Sequence, residues 1–324
     1  MSVDLLLKGL DIKGGYELQE AYVDAVSNVS LELHRNEVFG IAGESGCGKS
    51  TLIKILYGYI EPPLTLRNGL IELYTNDGNT LEISSLSPDK LRKTIWWRLV
   101  SYIPQNAMNV LNPTIRIRDH FAEMYREHIG LEKSESYSKA QKYIETFGLP
   151  NDVLAAFPHQ LSGGMRQRVV IAISLLLEPN LVLADEPSSA LDVINQRAAL
   201  TFLKNAQENL GNTLVLVSHD MSIQGVLTDR MALMYAGKMI EVGETQEILE
   251  NPLHPYTKAL TRSLPRLGDK AQRRGLRGQP PDLRNPPQGC RFYPRCPSPQ
   301  PICQKEEPKI SETQRDHYVS CWLV

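Results

Sequence analysis

No stretch of this sequence is apolar for long enough to cross a bilayer. The longest strongly apolar run, VVIAISLLL at Val169–Leu177, is nine residues, against the roughly 20 that a spanning helix needs. The N-terminus, MSVDLLLKGLDIKGG, carries acidic residues early and has no basic start ahead of a sustained apolar segment, so it does not read as a secretory signal. Positive charge is not in excess: the formal net charge is −2, which argues against a chain built mainly to neutralise nucleic-acid phosphates. No internal repeat and no heptad array are visible. Cysteine is almost missing before the tail, with only Cys47 there and the other four in the last 35 residues. These absences point to a cytosolic chain whose membrane attachment comes through a partner. Disulfides are disfavoured in that compartment, which leaves metal binding or free thiols for the tail cysteines.

What is present fits a globular protein. The chain has 324 residues, 42% apolar and 22% charged, enough for one large domain with an appendage or for two domains. AVSNVSLEL at Ala25–Leu33 alternates as a strand does, and EVFGIAG at Glu37–Gly43 is a short apolar run ending in glycine. A helix is expected from Ser50 towards Tyr59, stopped by Pro62–Pro63, with GLIELYT and TLEISSL as strands around the turn NDGN. From about 106 to 178 the pattern is helical, including Ser134–Gly148. LVLADEP and TLVLVSHD read as buried strands of a parallel sheet with functional groups at their C-terminal ends. Around Arg262–Gln288 the composition turns to Arg, Gly and Pro, which marks a connector, with the cysteine segment beyond it as a small separate unit.

GESGCGKST at Gly43–Thr51 matches G-x-x-x-x-G-K-[ST] between a strand and a helix. Glycines let the backbone fold so that successive N–H groups point at phosphates, and the following helix adds its partial positive charge. Lys49 would reach the terminal phosphates and the Ser50 hydroxyl would bind Mg²⁺. Gly43, Ser45, Gly46, Cys47, Gly48, Lys49, Ser50 and Thr51 are therefore candidate nucleotide-binding residues, Cys47 being at a free position of the loop. LVLADEP puts Asp185 and Glu186 at a strand end, where Asp185 suits Mg²⁺ and Glu186 suits the polarisation of an attacking water. In LSGGMRQR, Leu161–Arg168, a serine and two glycines open a second helix, a second anion-binding end.

With these stretches in order, together with YIPQ (Gln105), SSALD (Ser188–Asp192) and VSHD (His219), residues 1–240 resemble the ATP-binding subunits of ABC transporters. The resemblance implies an α/β fold: a P-loop ABC-type nucleotide-binding domain over 1–250, with a mixed sheet core and a helical signature subdomain at about 106–178. A small Cys-rich C-terminal extension would occupy 251–324. It further implies that Glu186 is the catalytic carboxylate, that His219 contacts the γ-phosphate and that Gln105 completes the Mg²⁺ sphere. Ser162, Gly163 and Gly164 would act on the partner's ATP, and Asp192 would belong to the D-loop. An aromatic residue upstream would stack on adenine, Tyr16 being the first choice and Tyr22 the second. Two such subunits would sandwich two ATP molecules.

AMNVLNP, NPLHPYTKAL and GCRFYPRCP look like the oligopeptide/dipeptide importer subfamily. The methionine of LSGGMRQR and GQPPDL look like the first of its two paired ATPases. Departures are Asn106, where Asp is usual, and Ser188–Ser189, where Thr-Thr is common. That likeness implies a second ATPase subunit, two transmembrane permease subunits and an external solute-binding protein, no nucleic acid, and a place at the cytoplasmic face of the membrane. Oligosaccharides are the alternative cargo; a non-transport role in translation or DNA repair would be expected with duplicated cassettes or a coiled coil. Cys290, Cys296, Cys303 and Cys321 are separated by five, six and seventeen residues. Four thiolates can hold zinc or a 4Fe–4S cluster, and the resemblance points to the cluster. His317 reads as a solvated or packing residue rather than a ligand, and Arg273, Arg274 and Arg277 as a solvated linker.

Overall fold

The computed structural model describes residues 4–188, 192–264 and 276–324. Ser189, Ala190 and Leu191 of the expected D-loop, and Arg273 and Arg274 of the linker, lie outside the described residues. The chain first forms β1 (Leu5–Glu17), β2 (Tyr22–His34), β3 (Val38–Ala42), α1 (Lys49–Tyr57), β4 (Leu64–Tyr74) and β5 (Thr80–Glu82). Next come α2 (Pro88–Lys90), β6 (Val100–Ile103), α3 (Ile117–Ile129), α4 (Lys133–Thr146), α5 (Gly163–Leu175), β7 (Leu181–Asp185), α6 (Val193–Leu210) and β8 (Thr213–Val217). The remainder is α7 (Met221–Leu227), β9 (Arg230–Tyr235), β10 (Lys238–Glu244), α8 (Thr245–Glu250), α9 (Pro255–Ser263), β11 (Ser311–Gln314) and β12 (His317–Val319). Two compact units result: Met1–Leu86 with Leu216–Val324, and Ser87–Val215.

In the first unit β2, β1, β4 and β5 make an antiparallel sheet in that order. The alternation read in β2 is the buried set Val29, Leu31 and Leu33 against the exposed Asn28, Ser30 and Glu32. A second run of strands follows the order β11-β12-β10-β9-β3, with β3 and β9 parallel (Ala42 opposite Leu233). All five residues of β3 are buried, and the strand delivers the chain straight into Gly43. β9 and β10 are joined by the two-residue turn Ala236–Gly237, both with positive φ, the geometry that matches the twist of paired strands.

The cysteine segment is not a separate unit. β12 pairs with β10, and Phe292 is 2% exposed inside a core of Met221, Leu233, Tyr235, Ile248 and Tyr256. Ring centroids of Phe292 lie 5.1 Å from Tyr235 and 5.5 Å from Tyr256. Burial of one such ring is worth roughly 3 kcal/mol, so the expected boundary at residue 250 does not coincide with a gap in packing. Charge adds to the anchoring. Arg291 pairs with Asp24, and the buried Glu241 takes the His317 Nε2 at 2.9 Å and the backbone N–H groups of Leu253 and His254 at 2.7 and 2.9 Å. His317 is thus a buried packing residue, as one of its two expected roles had it.

In the second unit β6 and β7 run parallel, Val100 opposite Leu181, and β8 flanks β7 on its other side. The helical expectation for Ser134–Gly148 is met by α4, whose buried Ser136, Ala140 and Ile144 recur every four residues.

Candidate functional site

The phosphate loop is built by close approach of backbones. Gly43 has φ +148° and a Cβ there would sit 2.2 Å from the Met234 carbonyl oxygen. Gly48 has φ +106° and a Cβ would sit 2.0 Å from the Ala25 carbonyl oxygen. No other residue fits either place. The turn between β9 and β10 fastens the loop from one side, Gly237 N donating to the Cys47 carbonyl at 2.8 Å. Lys49, 5% exposed, turns its ammonium over the loop and donates to the carbonyls of Gly43 and Glu44 at 2.8 and 2.9 Å. α1 begins at Gly48 with no side-chain cap and no acidic residue in its first turn, so its N–H groups are offered to an anion. Tyr16 Oη lies 3.1 Å from Thr51 Oγ1 in that turn, whereas the Tyr22 ring is covered by the Arg67 guanidinium 3.3 Å from its centroid.

His219 follows β8, and Asp220 caps α7 by accepting from Ser222 and Ile223 N–H groups at 2.9 and 3.3 Å. A cavity of about 360 Å³ brings His219 together with Gly43, Glu44, Asp220 and Leu260. The loop and the histidine thus share one hollow in the first unit.

The other half of the expected chemistry is in the second unit. Asp185, 2% exposed, ends β7 and accepts from Tyr102 Oη at 3.3 Å. Glu186 has φ +46°, an uncommon conformation for a side-chain-bearing residue, and its Oε2 accepts from Gln105 Nε2 at 3.4 Å. Gln105 and Glu186, 81 residues apart, are therefore neighbours. Ser162 caps α5, its hydroxyl accepting from Met165 N at 3.3 Å. Ser162 and Gly163 are exposed at the helix start, and no acidic residue occupies the first turn. Asp192 caps α6, accepting from Asn195 N at 3.0 Å.

The tail cysteines depart from expectation. All five cysteines are free thiols. Cys290, Cys296, Cys303 and Cys321 feel one another's charge, but among the described residues no group of three or more His, Cys, Asp or Glu is arranged to hold a metal ion. Burial pushes the Cys290 thiol up to about 11 and raises Cys296 and Cys321 as well, so in the metal-free chain these thiols are protonated. A metal ion binds the thiolate and displaces that proton on ligation. The donors for a thiolate are nonetheless present, since backbone N–H groups of Phe292 and Tyr293 bond Cys290, that of Ser298 bonds Cys296 and that of Leu323 bonds Cys321.

Three residues escaped the sequence reading. Tyr102 stands inside YIPQ, and Tyr256 inside NPLHPYTKAL, but neither has a local spacing that announces its partner. Glu44 fills a free position of the loop and had no assigned role.

A phosphate loop with a buried lysine, a strand-end Asp–Glu pair and a second glycine-opened helix end define a P-loop nucleoside triphosphatase of the cassette type. The chain belongs to the ABC transporter family, whose model matches residues 26–189, and residues 240–303 match the oligopeptide/dipeptide transporter C-terminal region. It is similar to the dipeptide transport ATP-binding protein DppD of Caldanaerobacter subterraneus subsp. tengcongensis, at 36% identity over 99% of this chain and 98% of the relative. It is also similar to DppD of Bacillus subtilis, at 38% over 93% and 89%, and to the oligopeptide transport ATP-binding protein AppF of the same organism, at 37% over 96% and 92%. Among solved structures it resembles the dimeric post-hydrolysis state of the ATP-binding cassette MJ0796 bound to ADP and Pi. There the TM-score is 0.63 and the identity 25%, over 74% of this chain and 99% of that one. Among the described residues no helix is long and apolar enough to cross a membrane.

Proposed function

We propose that this chain is the ATP-hydrolysing subunit of an importer for oligopeptides or dipeptides. One observation carries the reading: a single chain offers two phosphate-gripping helix ends, α1 behind the loop and the exposed start of α5. In a pair of such chains each α5 start closes over the ATP on the other's loop. Lys49 neutralises the terminal phosphates, Ser50, Gln105 and Asp185 would hold Mg²⁺, and Glu186 orients the attacking water while His219 holds the γ-phosphate. Mg²⁺ would draw charge off the phosphates when bound. The names of the relatives and the matched C-terminal region favour peptide over oligosaccharide as cargo. The remaining parts are then a paired ATPase, two permease subunits that fix the chain to the cytoplasmic face of the membrane, and an external binding protein. The test is the reconstituted transporter: peptide-loaded binding protein stimulates ATP hydrolysis, sugar-loaded protein does not, and Glu186→Gln binds ATP without turnover. Stimulation by sugar alone would overturn the cargo, and unaltered turnover in the variant would overturn the catalytic role.

We also propose that the four tail cysteines hold a 4Fe–4S cluster, with zinc as the alternative. The support is that Cys290, Cys296 and Cys321 each lie near enough to Cys303 to feel its charge, and that these three accept backbone N–H bonds that favour a thiolate. Ligation requires their side chains to turn inward and lose their protons.

A further inference from the structure

We propose that Arg295 is a positioning residue for nucleotide binding: from the cysteine-rich extension it neutralises and holds Glu44, the second residue of the phosphate loop. The inference rests on the ATP reading above and adds to it a role for the extension in that same site.

Glu44 is gripped at each of its polar groups. Its backbone N–H donates to Tyr256 Oη at 2.9 Å, and its carbonyl accepts from Lys49 Nζ at 2.9 Å and from Cys47 N at 3.3 Å. Its carboxylate meets the Arg295 guanidinium two-to-two, with Nη1 to Oε2 at 2.6 Å and Nη2 to Oε1 at 3.0 Å. Arg295 is itself locked. Its side chain is 5% exposed, its Nε donates to the Arg277 carbonyl at 2.9 Å, and its Nη1 lies 3.4 Å from Tyr235 Oη. The loop is thus held by α9 through Tyr256 and by the segment between Cys290 and Cys296 through Arg295.

The electrostatic consequence is specific. A carboxylate on a residue whose carbonyl touches Lys49 is a poor neighbour for a triphosphate: unpaired, it would draw the ammonium to itself and repel the ligand. Glu44 is 27% exposed, so solvent would screen it only in part. The bidentate guanidinium turns the carboxylate away from that contest and fixes it in one geometry. Loss of Arg295 should therefore weaken ligands in proportion to their phosphate charge, and removal of the Glu44 charge should restore them. A residue that merely packs the extension would show neither behaviour.

The experiment is calorimetric binding of Mg·ATP, Mg·ADP and AMP to the full chain and to R295A, R295K, E44Q and R295A/E44Q, with thermal unfolding recorded in parallel. The expected result is an ATP Kd roughly tenfold higher in R295A, the size of one lost charge-assisted contact. ADP should lose less and AMP least, and R295A/E44Q should return close to the wild-type value. Should R295A fail to fold, R295K and the double variant carry the test: R295K keeps the charge and is expected to bind ATP better than a neutral residue there. Equal losses for the three nucleotides, or a loss that persists in R295A/E44Q, would overturn the proposal while leaving the ATP reading intact. A wild-type chain that binds no ATP would remove both.

Discussion

The imidazole of His254 offers a quantitative test of how the extension is fastened. It is 1% exposed, its Nδ1 accepts the Tyr256 N–H at 3.0 Å, and its ring lies 5.5 Å from that of Phe292. Burial pushes it down to about 4, with Glu241 opposing and Lys258 assisting that shift. Since its pKa is lower in the folded chain than the unfolded value of about 6.5, the unfolded chain takes up the proton first on acidification. Stability is then complete above about pH 6.5 and falls progressively towards pH 4. The linkage relation gives a loss of about 2 kcal/mol at pH 5 and about 3 kcal/mol at pH 4. Glu241 is depressed as well, chiefly through its bond to His317 against the opposing pull of burial. Its contribution is present above the usual glutamate range and disappears below it, a separate and more acid window. His254→Gln, whose amide oxygen can take the same N–H, should be less stable at neutral pH but should lose most of the slope between pH 6.5 and 4. The assay is urea unfolding of both chains at pH 7, 6, 5 and 4.5. An unchanged slope in the variant would refute the argument.

Three further outcomes can be checked. Ser162→Arg removes an N-cap worth about 1 kcal/mol and blocks the α5 start; ATP binding to its own loop should survive, while turnover of the reconstituted complex falls at least about tenfold. Phe292→Ala should cost about 3–5 kcal/mol in denaturant unfolding, because the ring is 2% exposed among Tyr235, Tyr256 and His254. Less than about 1 kcal/mol would contradict the packing described. Protein purified without oxygen should absorb broadly near 400 nm and contain about four irons per chain, whereas a colourless protein with one zinc would transfer the four thiols to zinc.

The parts of the molecule that act through contiguous backbone were readable in the chain. Gly43 to Thr51 must be neighbours in sequence because one turn and one helix end make the cradle, and the same is true of Leu161–Arg168. The alternation of β2 and the spacing of α4 are local for the same reason. Long-range partners left no such trace. Glu44 and Arg295 are 251 positions apart and Glu44 and Tyr256 are 212 apart, so no window of sequence contains both members. The cysteine segment looked detached because Arg, Gly and Pro precede it. The largest apolar side chain it buries is Phe292, whose pocket is assembled from several other stretches of chain. Thiol spacing likewise could not convey how far burial holds Cys290 in its neutral form.

The first compact unit is discontinuous, closing Met1–Leu86 onto Leu216–Val324, whereas Ser87–Val215 is one uninterrupted stretch. A ribosome releases the chain from one end, so the uninterrupted stretch can mature while the other unit still waits for Phe292 and the strand at His317–Val319. Until those residues emerge, the aromatic face of Tyr235 and Tyr256 has no cover and is open to chaperones or to self-association. A shortened polypeptide stopping near residue 264 would keep every phosphate-binding motif and yet be left in that unfinished condition.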